Sequence, residues 1–225
     1  MTEETPVPNT AVPSLDQQDL PEPRIHETAL VEDGVTIGRG SSVWDSVHVR
    51  HGAKIGRKCI VGEKSYVAYD VEIDDLVKIN ASVYICAQVR IGRGSMISAH
   101  TVFTNDRFPR ACDPDLEDLQ TSDPTEETLW TNVEQGVTIG ANATIGPGLT
   151  LGAFSMIGMG SVVTRSVPPH ALVTGSPARI RGLVCRCGEP VCKVSAGEEL
   201  PAGEHACPRC ERVTVWPQPS TQNRG

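Results

Sequence analysis

The stretch IHETAL VEDGVT IGRGSS VWDSVH VRHGAK IGRKCI V, residues 25–61, decides the fold once it is written in sixes. The leading positions are Ile25, Val31, Ile37, Val43, Val49, Ile55 and Val61, and the series continues through Val67, Ile73, Ile79, Ile85, Ile91 and Ile97 to Phe103 with no polar member. The same register resumes at Val133, Ile139, Ile145, Leu151, Ile157 and Val163. Two residues before the anchors the chain is usually small or β-branched, as at Val35, Ser41, Val47, Ala53, Cys59, Ser65, Val71 and Val77. Directly after many anchors stands a glycine, as at Gly38, Gly56, Gly62, Gly92, Gly140, Gly146, Gly152 and Gly158.

A period of six fits neither a 3.6-residue helix nor a long alternating strand. It predicts very short strands joined by repeated corners, three to a triangular coil of eighteen residues. Stacking such coils in parallel closes the backbone hydrogen bonds between rungs ~4.8 Å apart. The anchors then fill the prism and the glycines fit beside them. A one-residue slip would expose the whole aliphatic column.

Composition agrees with a single domain plus a small appendage. The 225 residues are 39% hydrophobic but only 4% aromatic, so the core has to be aliphatic. A net charge of −8 argues against nucleic acid or a membrane surface as the main partner. No apolar run reaches the length of a membrane span. The N-terminus is polar and proline-rich without a signal-peptide pattern, so a cytoplasmic location is expected, where eight cysteines are not disulfides.

Four breaks divide the chain. Residues 1–24 lack periodicity and are expected to be disordered, as is the tail 217–225. The prism is expected over 25–166, with one excursion at 104–132 (TNDRFPRACDPDLEDLQTSDPTEETLWTN) rich in prolines and acids. Residues 167–183 (VPPHALVTGSPARIRGL) stop the solenoid, and 184–216 read as a small cysteine-bearing module. Loops as long as this excursion in compact solenoids are more often functional than accidental.

The repeat over roughly 25–183, together with GSPAR at 175–179, resembles the hexapeptide-repeat acyltransferases. VWDSVHV, VKINASVY and VFTNDRFPR resemble their nucleotide-sugar N-acetyltransferase branch. The resemblance implies a left-handed parallel β-helix, a short capping helix after the last coil, a homotrimer, and acyl-CoA lying along the last coils at a subunit interface. It also implies an excursion reaching over a cleft between subunits. One departure is plain. The asparagine pair that serves the amine in that branch is replaced where the chain reads Ile79-Asn80-Ala81-Ser82.

Charge supports the ligand. Between Glu134 and Glu189 there is no acid, while Arg165, Arg179, Arg181 and Arg186 fall in that stretch. Coenzyme A needs cations at its phosphates and open backbone beside its pantetheine arm. Ala141 and Met159, in the small-residue turns, and Arg165, Pro177 and Arg179 are the expected contacts for acetyl-CoA or another acyl-CoA.

Stacking by eighteen places His100 on Ser82, Lys64 and Ser46, His48 on Tyr66 and Tyr84, and His51 on Tyr69, Ala87 and Asn105. Imidazole suits general-base work near neutral pH. His100, one coil from Ser82, is the expected base. It would take a proton from the attacking amine or hydroxyl while a backbone amide at a corner holds the oxyanion. His48, Asn80, Ser82, Tyr84 and Asn105 are candidates for holding the sugar acceptor, although each also suits a surface or corner role.

Cys185-x-Cys187 and Cys207-x-x-Cys210 have the paired spacing of a zinc ribbon, with a structural zinc expected and Cys192 and His205 as spare ligands. Cys59 falls on an inward position and reads as core. Two other readings stay open at this point. A γ-class carbonic anhydrase shares the prism, but His48, His51 and His100 do not have its histidine spacing. A non-catalytic scaffold could present the ribbon to a partner.

Overall fold

The computed structural model describes residues 20–216 except 122, 127, 196 and 197. Residues 1–19 and 217–225, most of the two segments expected to lack order, lie outside the described residues. Residues 20–24 are seated on the first coils: Arg39 Nε donates to the Leu20 carbonyl (2.7 Å) and the Gly40 amide to that of Pro21 (2.8 Å).

From Arg24–Ile25 to Val162–Val163 every strand is two residues long, apart from the three-residue Val89–Ile91 and Thr131–Val133. They form three parallel faces of a prism. Face 1 runs from Arg24–Ile25 to Met156–Ile157 and Ala171–Gly175, face 2 from Leu30–Val31 to Val162–Val163, and face 3 from Thr36–Ile37 to Thr150–Leu151. Partners lie eighteen residues apart, as in Ile25↔Val43 and Tyr66↔Tyr84. Across the excursion the partners Ile97↔Ile139 and Phe103↔Ile145 are 42 apart, so the excursion adds 24 residues and leaves the register intact.

Every anchor from Val43 to Val163 is no more than 4% exposed, and Phe103 is the largest fully buried side chain. Ile25, on the outermost strand of face 1 among the described residues, is 46% exposed. The positions two before each anchor are buried too, including Val47, Ala53, Cys59, Ser65 and Val77. Where Ser41 and Ser65 stand there, their hydroxyls donate to the carbonyls of Gly56 and Asn80 and accept from the amides of Cys59 and Val83, so a polar residue enters the core with its partners.

The third residue after most anchors turns the corner in the left-handed region. On the edge between faces 1 and 2 these residues are Ser46, Lys64, Ser82, His100, Asn142 and Gly160, with φ from 56° to 66°. Left-handed backbone disfavours L-residues, and each corner is held by a bond to the neighbouring coil, such as Ser82 N to Glu63 O (2.8 Å) and His100 N to Ala81 O (3.1 Å).

The short capping helix expected after the last coil is not formed, and there is no helix among the described residues. Ala171–Gly175 instead continues face 1, pairing Leu172 with Met156, and the chain folds back through antiparallel Ala178–Val184 and then Pro190–Lys193. The pattern Ala171, Val173 buried with Leu172, Thr174 outward has the strand period of two. A strand also satisfies the open hydrogen-bonding edge of Met156–Ile157, which a helix would leave bare. Beyond it, Gly203–Ala206 and Val213–Trp216 form a separate two-stranded hairpin.

Candidate functional site

The edge between faces 1 and 2 gathers several of the expected residues. The position before each left-handed corner runs Asp45, Glu63, Ala81, Ala99, Ala141, Met159, from acids in the early coils to small or apolar side chains in the late ones. His100 therefore stands one coil before Ala141 and two before Met159, which is 82% exposed. Its ring is exposed and makes no hydrogen bond among the described residues. The hairpin tip reaches the same edge. The Gly175 amide donates to Ser161 Oγ (3.2 Å), and a Cβ on Gly158 would lie 2.6 Å from the Thr174 methyl. Pro177 and Arg179 flank that tip, with Arg179 paired to Thr174. Ser82 is on this edge, and Asn80 leads into it with its carbonyl bonded by Ser65 Oγ (3.0 Å). Arg165 and Asn105 are not there. Both occupy the corner between faces 2 and 3, on the far side of face 2.

Face 2 carries an aromatic ladder. Tyr66 and Tyr84 stack with centroids 5.1 Å apart at 7°, and His48 meets Tyr66 edge-on at 5.4 Å. Arg50 donates to the Tyr66 hydroxyl (2.8 Å) and lies 4.2 Å over Tyr69, which His51 touches at 4.7 Å. Glu32 organises this group. It takes His48 Nε2–H (2.8 Å) and the His51 amide (2.9 Å) and pairs with Arg50. Partial burial raises its pKa, but the His51 amide, His48 and Arg50 outweigh that and hold the carboxyl at about 2. Burial, then the neighbouring Tyr66, pushes the Tyr84 phenol up.

A cleft of about 570 Å³ opens where the excursion crosses this ladder. Arg50, Tyr66, Tyr69 and Tyr84 form its prism wall, and Asn105, Asp106, Arg110 and Asp123 its excursion side. Cys86 lies in the floor, its thiol pushed up to about 12 by burial and hence unreactive. Of the expected acceptor contacts, Tyr84 and Asn105 line the cleft and His48 borders it through Tyr66, while Asn80 and Ser82 sit across face 2 with the expected base His100. Sequence reading missed Glu32 and Arg50, although they stand eighteen apart and the stacking rule would have joined them. Arg110 and Asp123 belong to an aperiodic segment that carries no such signal.

The four cysteines converge. All four sulfurs lie within 4.8 Å of one another, with Cys185–Cys210 at 3.5 Å and Cys187–Cys207 at 3.6 Å. Sulfurs on a tetrahedral ion at ~2.3 Å would stand about 3.8 Å apart, so the donor set suits one soft divalent cation. The Cys207 thiol is lowered to about 7: burial opposes this, but the amides of Arg209 and Cys210 and neighbouring thiols outweigh it. Cys192 lies on Pro190–Lys193 outside the cluster, and His205 Nε2–H donates to the Pro201 carbonyl (2.9 Å), so neither spare ligand is used. This is the one metal-competent group among the described residues. His48, His51 and His100 do not converge within a chain.

The family described as bacterial transferase hexapeptide (six repeats) matches residues 34–69, and that described as hexapeptide repeat of succinyl-transferase matches 131–165. The chain is 51% identical over 57 residues, 25% of its length and 30% of the relative's, to the dTDP-3-amino-3,6-dideoxy-alpha-D-galactopyranose 3-N-acetyltransferase of Aneurinibacillus thermoaerophilus. It is 32% identical over 120 residues, 51% of its length and 44% of the relative's, to a serine acetyltransferase of Salmonella typhimurium. It thus spans less than half of each of these curated relatives. Among solved structures, PerB from Caulobacter crescentus in complex with CoA and GDP-perosamine matches with 23% identity and a TM-score of 0.48, over 72% of this chain and 58% of that one.

Proposed function

We propose that this chain, a hexapeptide-repeat protein of the bacterial-transferase type, is an acyl-CoA-dependent acyltransferase that acetylates a sugar, in particular a nucleotide-linked amino sugar. The observation that carries this reading is the edge between faces 1 and 2. There an exposed imidazole, a run of small residues and an arginine-bearing hairpin tip follow one another along successive coils. Ala141, Met159 and Pro177 would flank the pantetheine arm, and Arg179 would meet a phosphate. Arg165, on the opposite edge, would serve a ligand bound to a neighbouring subunit.

In the reaction, the acceptor nitrogen or oxygen bonds to the thioester carbonyl carbon. His100 takes the acceptor's proton, the carbon–sulfur bond breaks, and the proton passes to the departing thiolate. A corner amide steadies the oxyanion. Ser82 and Asn80 would hold the sugar beside His100, while Tyr84, His48 and Asn105 orient it from the cleft across face 2. The test is release of free thiol from acetyl-CoA with dTDP-, UDP- and GDP-linked amino sugars as acceptors. Acetylated sugar with at least one of them is expected; CoA binding without transfer to any amine or hydroxyl sugar would overturn the reading.

Zinc is the expected ion at the four thiolates, at one per chain. Eight unpaired cysteines suit a reducing compartment, which supports a cytoplasmic protein. No helix among the described residues is long and apolar enough to cross a membrane. A homotrimer is supported by the exposed apolar side chains Leu30, Tyr84 and Val102 on face 2 and Met159 on the adjoining edge, which a neighbouring prism would cover. Light scattering should give three times the chain mass, and a monomer at micromolar concentration would contradict a site shared between subunits.

A further inference from the structure

A solenoid has to end somewhere, and the way this one ends joins its two least related parts. Ala171–Gly175 is the last parallel rung of face 1, and its outer edge is covered by Ala178–Val184 (Ala171↔Leu183, Thr174↔Arg179). The edge that this strand leaves is covered in turn by Pro190–Lys193 (Leu183↔Cys192). Leu183, Val184 and Cys185 are almost fully buried, so the end of the covering strand is part of the seal.

The same strand has a different neighbour at each terminus. Seven residues at ~3.3 Å each span roughly 20 Å. At its start, Pro177 and Arg179 adjoin the tip bound to Ser161. At its end comes Cys185, the first of the four clustered cysteines. That end is fixed to the corner between faces 3 and 1. Val184 N donates to His170 O (2.8 Å), His170 Nδ1–H donates to Val184 O (2.9 Å), and the His170 ring stacks on Phe154 at 5.5 Å. Arg186, between two of the cysteines, lies 4.2 Å over the other part of this contact, Phe154.

The remaining two cysteines belong to the hairpin Gly203–Ala206 and Val213–Trp216, which pairs with no other strand among the described residues. An isolated two-stranded hairpin is marginal in water. Its ties inward include Cys207, Cys210, the contact of Gly203–Ala206 with Pro190–Lys193 and the packing of Trp216 on the prism core. A cation held by all four sulfurs would cross-link this hairpin to the end of the sealing strand.

We infer that the four-cysteine metal site is the clasp of the solenoid's open end, holding Ala178–Val184 on the last rung and so positioning Pro177 and Arg179 over the edge between faces 1 and 2. The metal acts on acyl-CoA binding through this strand, without touching the ligand. The second half of this inference rests on the acyl-CoA reading above; the first half does not.

Hydrogen exchange and CoA titration on the full chain separate the two. Zinc-loaded protein is compared with the same protein stripped by a chelator under reducing conditions, and with Cys207→Ser. Loss of zinc should speed exchange of amides 181–194 by about 100-fold or more while the amides around Ile79 and Ile85 stay protected. The Kd for CoA should rise about tenfold, since an ordered contact becomes a fluctuating one. If Cys207→Ser fails to fold, the chelated protein carries the comparison. Unchanged protection over 181–194 after zinc removal, or no zinc bound by the reduced protein, overturns the clasp. Lost protection with unchanged CoA affinity overturns the positioning. If even zinc-loaded protein binds no CoA, the acyltransferase reading fails, while the exchange comparison still decides the clasp.

Discussion

Gly140→Ala is a change of one methyl group, yet it should be among the more damaging surface-edge substitutions. A Cβ built on Gly140 would stand 2.5 Å from the Met159 nitrogen, 2.8 Å from its Cα and 2.9 Å from the Gly158 carbonyl carbon. All three are backbone atoms, so no rotamer relieves the clash. The contact is about 0.9 Å short of ordinary van der Waals separation at 3.4 Å. The rungs cannot simply part, because Gly140 N–Ile157 O and Gly160 N–Ala141 O bonds of 2.8 Å brace them on both sides. Overpacking of this kind costs about 2 kcal/mol, which for a chain of this size is roughly 4–8 °C in Tm. Gly160→Asn is the matched control. It adds a larger side chain on the same edge, but nothing lies within 4 Å of the built Cβ. Asn142 already holds the equivalent left-handed corner one coil earlier, at φ 58°. That variant should stay within roughly 0.5 kcal/mol of the parent. Thermal unfolding of both variants checks the pair. A Gly140→Ala protein as stable as the parent, or a Gly160→Asn protein that is worse, would refute the close-packed account of the edge.

Two further outcomes follow from the site. His100→Asn should keep the corner, since asparagine tolerates left-handed backbone and the ring makes no hydrogen bond among the described residues. Turnover should fall about 10²–10⁴-fold with CoA affinity nearly unchanged, and the deficit should shrink as pH rises and the amine arrives deprotonated; near-normal turnover at neutral pH would remove His100 as the base. Glu32 bears on acid stability. Its folded pKa, about 2, lies below the ordinary glutamate value of 4.5, so its contribution is present above about 4.5 and is lost as pH falls toward 2. Glu32→Gln should therefore flatten the acid limb of the stability profile between those values, and an unchanged slope would mean that the His48–Arg50–His51 group is held without it.

Much of this molecule is determined by the sequence alone, because its contacts are nearest-neighbour along one axis. Once the period is six and the coil eighteen, the inward column Val43 to Val163, the stacks His48–Tyr66–Tyr84 and Ser82–His100, and the return of the six-residue phase at Val133 all follow by addition. The cysteine pairs are legible for another reason, since metal geometry dictates ligand spacing. Three things needed the tertiary structure. Residues 167–183 lack the hexapeptide period, and the open edge of Met156–Ile157 recruited them as strands where a helix was expected. The excursion is aperiodic, so only its path over face 2 brings Asp106, Arg110 and Asp123 to the tyrosine ladder. Finally, linear stacking says which residues share an edge but not what a returning chain brings to it. Arg179 meets the edge of His100, Ala141 and Met159 because the terminal hairpin folds back there, while Arg165, close to it in sequence, is carried by the triangular corner to the opposite side.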